Sequence, residues 1–103
     1  MTACPKPNAR RRPKLRGSLP KKLAWLHTLP CAVCGRFPVE AHHERRLGEP
    51  ADYRKAIPFC AAHHRLPGPE SREALGRDGF ERHHGIKLDE LCATYQARYE
   101  AER

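Results

Sequence analysis

Apolar residues in this chain form short clusters separated by proline and glycine, a pattern that predicts several short elements. A first helix is expected to open at Ser18 or Leu19, with Pro20 in its first turn, and to stop before Pro30. The clearest apolar stripe with helical spacing lies in residues 88–102, which we interpret as the last helix. That stripe consists of Leu88, Leu91, Cys92, Tyr95 and Tyr99.

Two short strands are predicted in the middle of the chain. Residues 37–43 contain the β-branched Val39 and are interpreted as a strand or one arm of a hairpin. Residues 57–59 predict a second strand, and residues 44–55 have no clear period and are expected to form a loop. The central region therefore resembles a small β-hairpin more than a helix.

Further helices are expected after the second strand. A helix that starts at Cys60 must break at Pro67-Gly68-Pro69, because proline removes a backbone donor and clashes with the preceding turn. Residues 70–84 then predict another helix that closes at Gly85. Together these elements predict one α+β domain over residues 19–103.

Positive charge is concentrated at the start of the chain. The 103 residues carry a net charge of +8, yet no Asp or Glu precedes Glu40. Residues 1–18 combine this charge with several prolines and few apolar side chains, which predicts a disordered basic arm. Such an arm favours contact with nucleic acid through counterion release, although a solubilising tail is the simpler alternative. The cations expected at this contact are Arg10, Arg11, Arg12, Lys14, Arg16, Lys21 and Lys22.

The size of the chain limits how it can be stabilised. A hydrophobic content of 39% and a charged content of 31% cannot fill a large core in 103 residues. No apolar run of transmembrane length and no signal peptide is visible, so we expect no membrane partner. Because the number of cysteines is odd and their spacing is that of metal ligands, a reducing cytoplasm fits best.

Cysteines and histidines recur at short gaps, as tetrahedral zinc requires. The motif runs from Cys31-x-x-Cys34 through His42-His43 to Cys60-x-x-His63-His64. Two ligands two residues apart turn onto the same ion in a tight knuckle. Cys31, Cys34, Cys60 and one histidine of the second pair would complete a structural zinc site.

The remaining histidines exceed what one zinc ion can use. Adjacent strand residues point to opposite faces, so one of His42 and His43 could hold an ion while the other faces an attacking water. An imidazole, with an unperturbed pKa of about 6.5, suits proton abstraction near neutral pH. Two alternatives stay open: both are surface strand residues, or one of them replaces His63 on zinc.

Three separated blocks resemble the HNH, or ββα-metal, nucleases. They are LPCAVCGRFPVEAHH, DYRKAIPFCAAHH and ALGRDGFERHHGI, and more narrowly they are similar to small phage and prophage nucleases of the recombination-enhancement (Ref-like) type. The resemblance covers roughly residues 26–91. It implies a small zinc-stapled ββα-metal, treble-clef-like domain with flanking helices.

The resemblance also implies roles for individual residues. It assigns the general base to His43, catalytic-metal ligands to His42 and His64, and the fourth structural zinc ligand to His63. Gly68 stands where many members have a further metal histidine, so Glu73 is expected to supply a carboxylate to Mg²⁺ or another divalent ion.

One position and one group of cations complete the expected site. The asparagine that orients the base in the family is absent, and Asp52 occupies roughly the matching place. Arg45, Arg46 and Arg65 flank the histidine pairs and are expected to hold phosphates, although ordinary surface cations are the alternative.

These expectations lead to one hypothesis and two alternatives. The hypothesis is a divalent-metal-dependent DNA endonuclease or nickase, and the resemblance further implies a phage or prophage origin, a link to recombination and a recombinase filament as partner. The first alternative is a noncatalytic zinc-stabilised DNA-binding module, which has no reason to cluster His42, His43 and His64. The second is a zinc-stabilised protein adaptor.

Overall fold

The computed structural model describes residues 19–102, and the predicted basic arm over residues 1–18 lies outside that range. The elements in chain order are α1 (Pro20–Leu26), β1 (Glu40–His43), a 3-10 turn (Tyr53–Lys55), β2 (Ala56–Phe59), α2 (Ala61–His64), α3 (Arg72–His84) and α4 (Leu88–Glu102). Four α-helices and one two-stranded sheet therefore make up residues 19–102, which confirms the predicted α+β class.

The sheet is a short antiparallel pair that fixes the position of the histidines. Glu40 pairs with Phe59, and His43 at the other end pairs with Ala56. The first strand is shorter than predicted and begins at Glu40, because Phe37 is 61% exposed and Pro38 has no N–H to donate. The predicted loop over residues 44–55 also differs, since it ends in the 3-10 turn.

The core lies where α1, β2, α3 and α4 meet. Leu26, Phe59, Phe80 and Leu88 are fully buried there, and the Phe59 and Phe80 rings contact each other edge to face at 5.3 Å. The predicted apolar face of α4 is confirmed, because four of its five residues are buried. These four are Leu88, Cys92, Tyr95 and Tyr99.

Two glycines shape the segment between β2 and α4. A Cβ on Gly68 would collide with the backbone carbonyl of Ala62, so the chain reversal between α2 and α3 requires glycine. Gly76 has φ +73° and ψ 173°, which divides α3 into two helical pieces at a kink. The start of α3 was predicted at residue 70 and lies at Arg72, where the Ser71 hydroxyl accepts a hydrogen bond from the N–H of Ala74 at 3.0 Å.

No helix within residues 19–102 combines the length and the apolar character needed to cross a membrane.

Candidate metal centre and histidine cleft

Two of the predicted zinc ligands lie in a tight turn between α1 and β1. The N–H of Gly35 donates to the carbonyl of Cys31 at 2.9 Å, and the φ of +77° at Gly35 explains the glycine. The N–H of Val33 points at the Cys31 sulfur at 3.4 Å. Because the N–H of Ala32 donates to the carbonyl of Pro58 at 2.9 Å, this turn is tied to β2.

The other two ligands lie where β2 leads into α2. Cys60 is the residue before the first turn of α2, and His63 follows within that turn. Nδ1 of His63 is 3.3 Å from the Cys60 sulfur and 3.8 Å from the Cys31 sulfur, and the Cys34 and Cys60 sulfurs are 3.7 Å apart. Zinc bonds of about 2.3 Å to sulfur and 2.0 Å to nitrogen place tetrahedral ligand atoms about 3.5–3.8 Å apart.

The four side chains therefore form a cluster that could hold a metal ion such as zinc. Burial opposes ionisation of the Cys31 thiol, but hydrogen bonds from backbone N–H groups, including that of Val33, outweigh burial and lower its pKa. A depressed thiol pKa favours the thiolate, which is the form that binds metal. The fourth corner is occupied by His63, so neither His42 nor His43 replaces it.

A second group of potential ligands shares His63. This group consists of His63, the carboxylate of Glu70 and the imidazole of His84. Since Nδ1 of His63 faces the sulfurs of Cys31 and Cys60, the cysteine cluster uses this histidine, and Nε2 of His84 already donates to the carbonyl of Glu70 at 2.9 Å. We therefore assign the structural site to the three cysteines and His63.

A separate cleft of about 390 Å³ contains the surplus histidines. The His42 ring, on β1, and the His64 ring, on α2, lie 5.2 Å apart at an interplanar angle of 72°. The cleft is lined by His42, His43, Arg45, His64, Arg65, Arg72 and Glu73. Six of these seven residues were predicted as site residues, and strand and helix bring them together.

Each histidine of the facing pair is bound to a carboxylate. Nδ1 of His64 donates to Glu40 at 2.6 Å, and Nε2 of His42 donates to Glu44 at 2.7 Å. Hydrogen bonds from Arg65 and His64 lower the pKa of Glu40 to about 2. Burial opposes ionisation of Glu44, yet hydrogen bonds from His42 and Arg72 also lower its pKa to about 2. Both acids are therefore carboxylates at neutral pH.

His43 lies beside this pair with one ring nitrogen withdrawn from solvent. Its Nε2 atom is buried and has no hydrogen-bond partner among residues 19–102, so Nδ1 is the nitrogen that could reach a water in the cleft. Burial, followed by the nearby charges of His42 and Lys22, lowers the pKa of His43. A neutral imidazole at physiological pH is the protonation state that a general base needs.

The two predicted acids have different surroundings. Glu73 lines the cleft, but its carboxylate accepts a hydrogen bond from the N–H of Leu66 at 2.9 Å. The ligand atoms of Glu73, His42 and His64 do not form a group within 4.8 Å in the described part of the chain. Asp52 is outside the cleft lining, and its carboxylate caps the 3-10 turn and binds Arg54 at 2.8 Å.

The predicted phosphate-binding cations differ in their exposure and in whether they line the cleft. Lys21 and Arg46 are exposed, and Arg45 and Arg65 line the cleft. The structure contradicts the prediction that Lys22 contacts phosphates. Lys22 is 1% exposed, and its ammonium donates to the Tyr53 carbonyl at 2.8 Å and to Gln96 at 2.6 Å. Its role is to join α1 to the 3-10 turn and α4. The arm cations lie outside the described residues. They are Arg10, Arg11, Arg12, Lys14 and Arg16.

Sequence reasoning missed the two carboxylates and Arg72. Glu40, His42 and Glu44 follow one another at intervals of two residues, and the period-two rule would have placed them on one side of a strand. Arg72 had no comparable signal, because it reaches the cleft only after the chain reverses at Gly68 and starts α3.

Comparison of the chain with protein-family models, with curated proteins and with solved structures found no match.

Proposed function

We propose that this chain is a divalent-metal-dependent endonuclease that hydrolyses phosphodiester bonds in DNA. The observation that carries the proposal is the facing pair of His42 and His64 in a cleft that also contains His43. Imidazoles paired with carboxylates are typical of metal ligands, whose second ring nitrogen is held by an acceptor. The resemblance of the sequence to the HNH nucleases supports the same assignment.

The proposed division of labour follows from the positions of the side chains. His42 and His64 would hold the catalytic ion, which would stabilise the charge developing on the phosphate and on the leaving oxygen. Nδ1 of His43 would take a proton from a water molecule. The water oxygen would bond to phosphorus while the bond from phosphorus to the leaving 3′ oxygen breaks. Arg45, Arg65 and Arg72 line the cleft and supply positive charge for the phosphate.

A plasmid-nicking assay with Mg²⁺ or Mn²⁺ tests this proposal. His43→Ala is expected to slow cleavage by about 10² to 10⁴, the usual loss when a general base is removed. Zinc content and DNA affinity should stay near wild type. His27→Ala is the matched control and should cleave normally, because His27 is exposed and is not among the residues that line the cleft.

One observation favours a second candidate, the noncatalytic zinc-stabilised DNA-binding module. A side chain at Gly68 would collide with the Ala62 carbonyl, and the ligand atoms of Glu73 do not group with those of His42 and His64 within 4.8 Å in the described part of the chain, so no third ligand stands beside these two imidazoles. Wild-type protein that binds DNA but cuts no form of it with any divalent ion would favour this module. Cleavage by His43→Ala at the wild-type rate would also contradict the proposed mechanism.

A further inference from the structure

Glu44 is a buried carboxylate that binds His42 of the histidine cleft. Its side chain is 1% exposed and it directly follows β1. Besides His42, it accepts hydrogen bonds from Arg72 at 3.0 and 3.1 Å and from Arg77 at 2.7 Å. A carboxylate has no proton to donate, so each of these partners must present an N–H to it. Glu44 is therefore held in place by three donors.

The two arginines reach Glu44 together only because α3 is kinked. Arg72 and Arg77 are five residues apart, which on a regular helix would separate their directions by about 140°. Gly76 lies between them with a backbone that is not helical. Arg77 in turn binds Asp89 on α4 at 3.0 Å, which anchors the arrangement to the rest of the domain. The kink thus lets two arginines of one helix clamp a single carboxylate.

The hydrogen bond to the clamped carboxylate decides which nitrogen of His42 carries the hydrogen. Because Nε2 of His42 carries the hydrogen donated to Glu44, a neutral ring has its lone pair on Nδ1. The opposite choice applies to His64, whose Nδ1 donates to Glu40 and leaves the lone pair on Nε2. The ring centroids lie 5.2 Å apart with the rings edge to face, so the two histidines would use different nitrogens for a common ion.

We propose that Glu44, clamped by Arg72 and Arg77, is a positioning residue that fixes the tautomer of His42 and so creates a divalent-cation site between Nδ1 of His42 and Nε2 of His64. Glu40 plays the corresponding part for His64. The inference rests on the proposed function and adds the ligand atoms and the residues that select them. Removing such a partner of a ligating histidine typically weakens metal affinity about 10- to 100-fold.

The first test uses unmodified protein loaded with zinc and labelled with ¹⁵N in its histidines. Long-range proton–nitrogen NMR distinguishes the two neutral tautomers of each ring. The expected result is the Nε2–H form for His42 and the Nδ1–H form for His64 before any Mg²⁺ is added. Added Mg²⁺ should then shift Nδ1 of His42 and Nε2 of His64 most strongly. The Nδ1–H tautomer at His42 would overturn the inference.

The second test measures Mn²⁺ affinity by calorimetry in three variants. Glu44→Gln and Glu40→Gln should each weaken binding about 10- to 100-fold, and Glu44→Gln should also mix the tautomers of His42. Glu90→Gln, an equal change of charge at an exposed residue of α4, should bind like wild type. Equal affinity in all three variants would overturn the inference. If Glu44→Gln does not fold, the tautomers of the wild-type protein decide the question.

These measurements separate the inference from the proposed nuclease activity. The expected tautomers and Mn²⁺ affinities in a protein that never cuts DNA would support the cation site and remove the proposed function. Cleavage by a protein whose His42 has the Nδ1–H tautomer would support the proposed function and overturn the inferred cation site.

Discussion

Cys34 is the ligand of the cysteine cluster that most directly reports metal binding. It is exposed, whereas Cys31 and Cys60 are buried, so without a metal its thiol would react freely with an alkylating reagent. Its sulfur lies 3.7 Å from that of Cys60, the spacing that a shared zinc ion imposes on two thiolates. The reactivity of Cys34 is therefore a direct measure of occupancy.

We predict that Cys34 is protected in protein purified without a chelator, and that such protein contains about one zinc per chain. Mass spectrometry after brief alkylation gives the extent of modification, and elemental analysis gives the zinc content. A chelator should expose Cys34 and then unfold the domain, since metal binding and folding are coupled. Rapid modification of Cys34 in folded, untreated protein would contradict the prediction.

Cys92 is the internal control for that experiment. It is buried on α4, and burial raises the pKa of its thiol to about 11. Both properties keep it unreactive while the domain is folded. Modification of Cys92 therefore marks unfolding, and modification of Cys34 without Cys92 marks loss of the metal from a domain that is still folded.

At the scale of elements, the kink in α3 joins fold and site. Gly76 has a backbone conformation, φ +73° and ψ 173°, that is essentially restricted to glycine. A Cβ at this position would meet no atom within 4 Å, so any cost of a side chain is backbone strain rather than a clash. Regularising the helix would also move Arg72 or Arg77 away from Glu44.

We predict that Gly76→Ala destabilises the domain by about 1–3 kcal/mol, the usual cost of a residue held in a sparsely populated backbone region. Gly79→Ala in the same helix is the control. Gly79 has no positive φ, and its added Cβ would make an ordinary 3.5 Å contact with Leu75, so about 0.5–1 kcal/mol of stabilisation is expected. Urea unfolding of both variants measures the difference, and equal stabilities would contradict the role of the kink.

Elements with strong local signals could be predicted from the sequence, and those that depend on distant contacts could not. Pro20, Gly85 and the apolar face of α4 act within a few residues, and the helices they indicate are present. The 3-10 turn before β2 depends on Asp52 capping the N–H of Arg54 and on the buried Lys22 reaching Tyr53. Asp52 and Arg54 are 2 residues apart, whereas Lys22 and Tyr53 are 31 residues apart. Only the second contact could not be predicted from neighbouring residues.

The candidate site divides in the same way. The members of the cysteine cluster could be predicted because Cys31 with Cys34, and Cys60 with His63, lie at the short gaps that place two metal ligands in one turn. The cleft could not be predicted, because it forms only when the sheet places His42 beside α2. The clamp on Glu44 could not be predicted either, because it depends on a kink that no pattern in residues 72–84 indicates. Lys22 was misassigned because a basic sequence does not show which of two adjacent lysines turns inward.

At the scale of the whole molecule, charge is divided between the arm and the folded domain. Residues 1–18 contain six of the 20 Lys and Arg residues and none of the 12 acids. In the domain, many cations already have carboxylate partners, as Arg65 has Glu40 and Arg77 has Glu44 and Asp89. Long-range attraction to a polyanion is therefore expected to come mainly from the arm.

Deleting residues 1–16 should weaken binding to DNA of any sequence and leave the fold intact. The deletion removes Lys6, Arg10, Arg11, Arg12, Lys14 and Arg16. If all six contact phosphates of duplex DNA, the slope of log affinity against log salt should fall by about 5, at roughly 0.9 per contact. A full-length variant with these six residues changed to glutamine separates loss of charge from loss of length, and it should match the deletion. Fluorescence anisotropy over a range of salt concentrations gives both slopes. An unchanged affinity and slope in both variants would show that the arm does not bind DNA and would leave the exposed cations of the domain, Arg45 among them, to bind it.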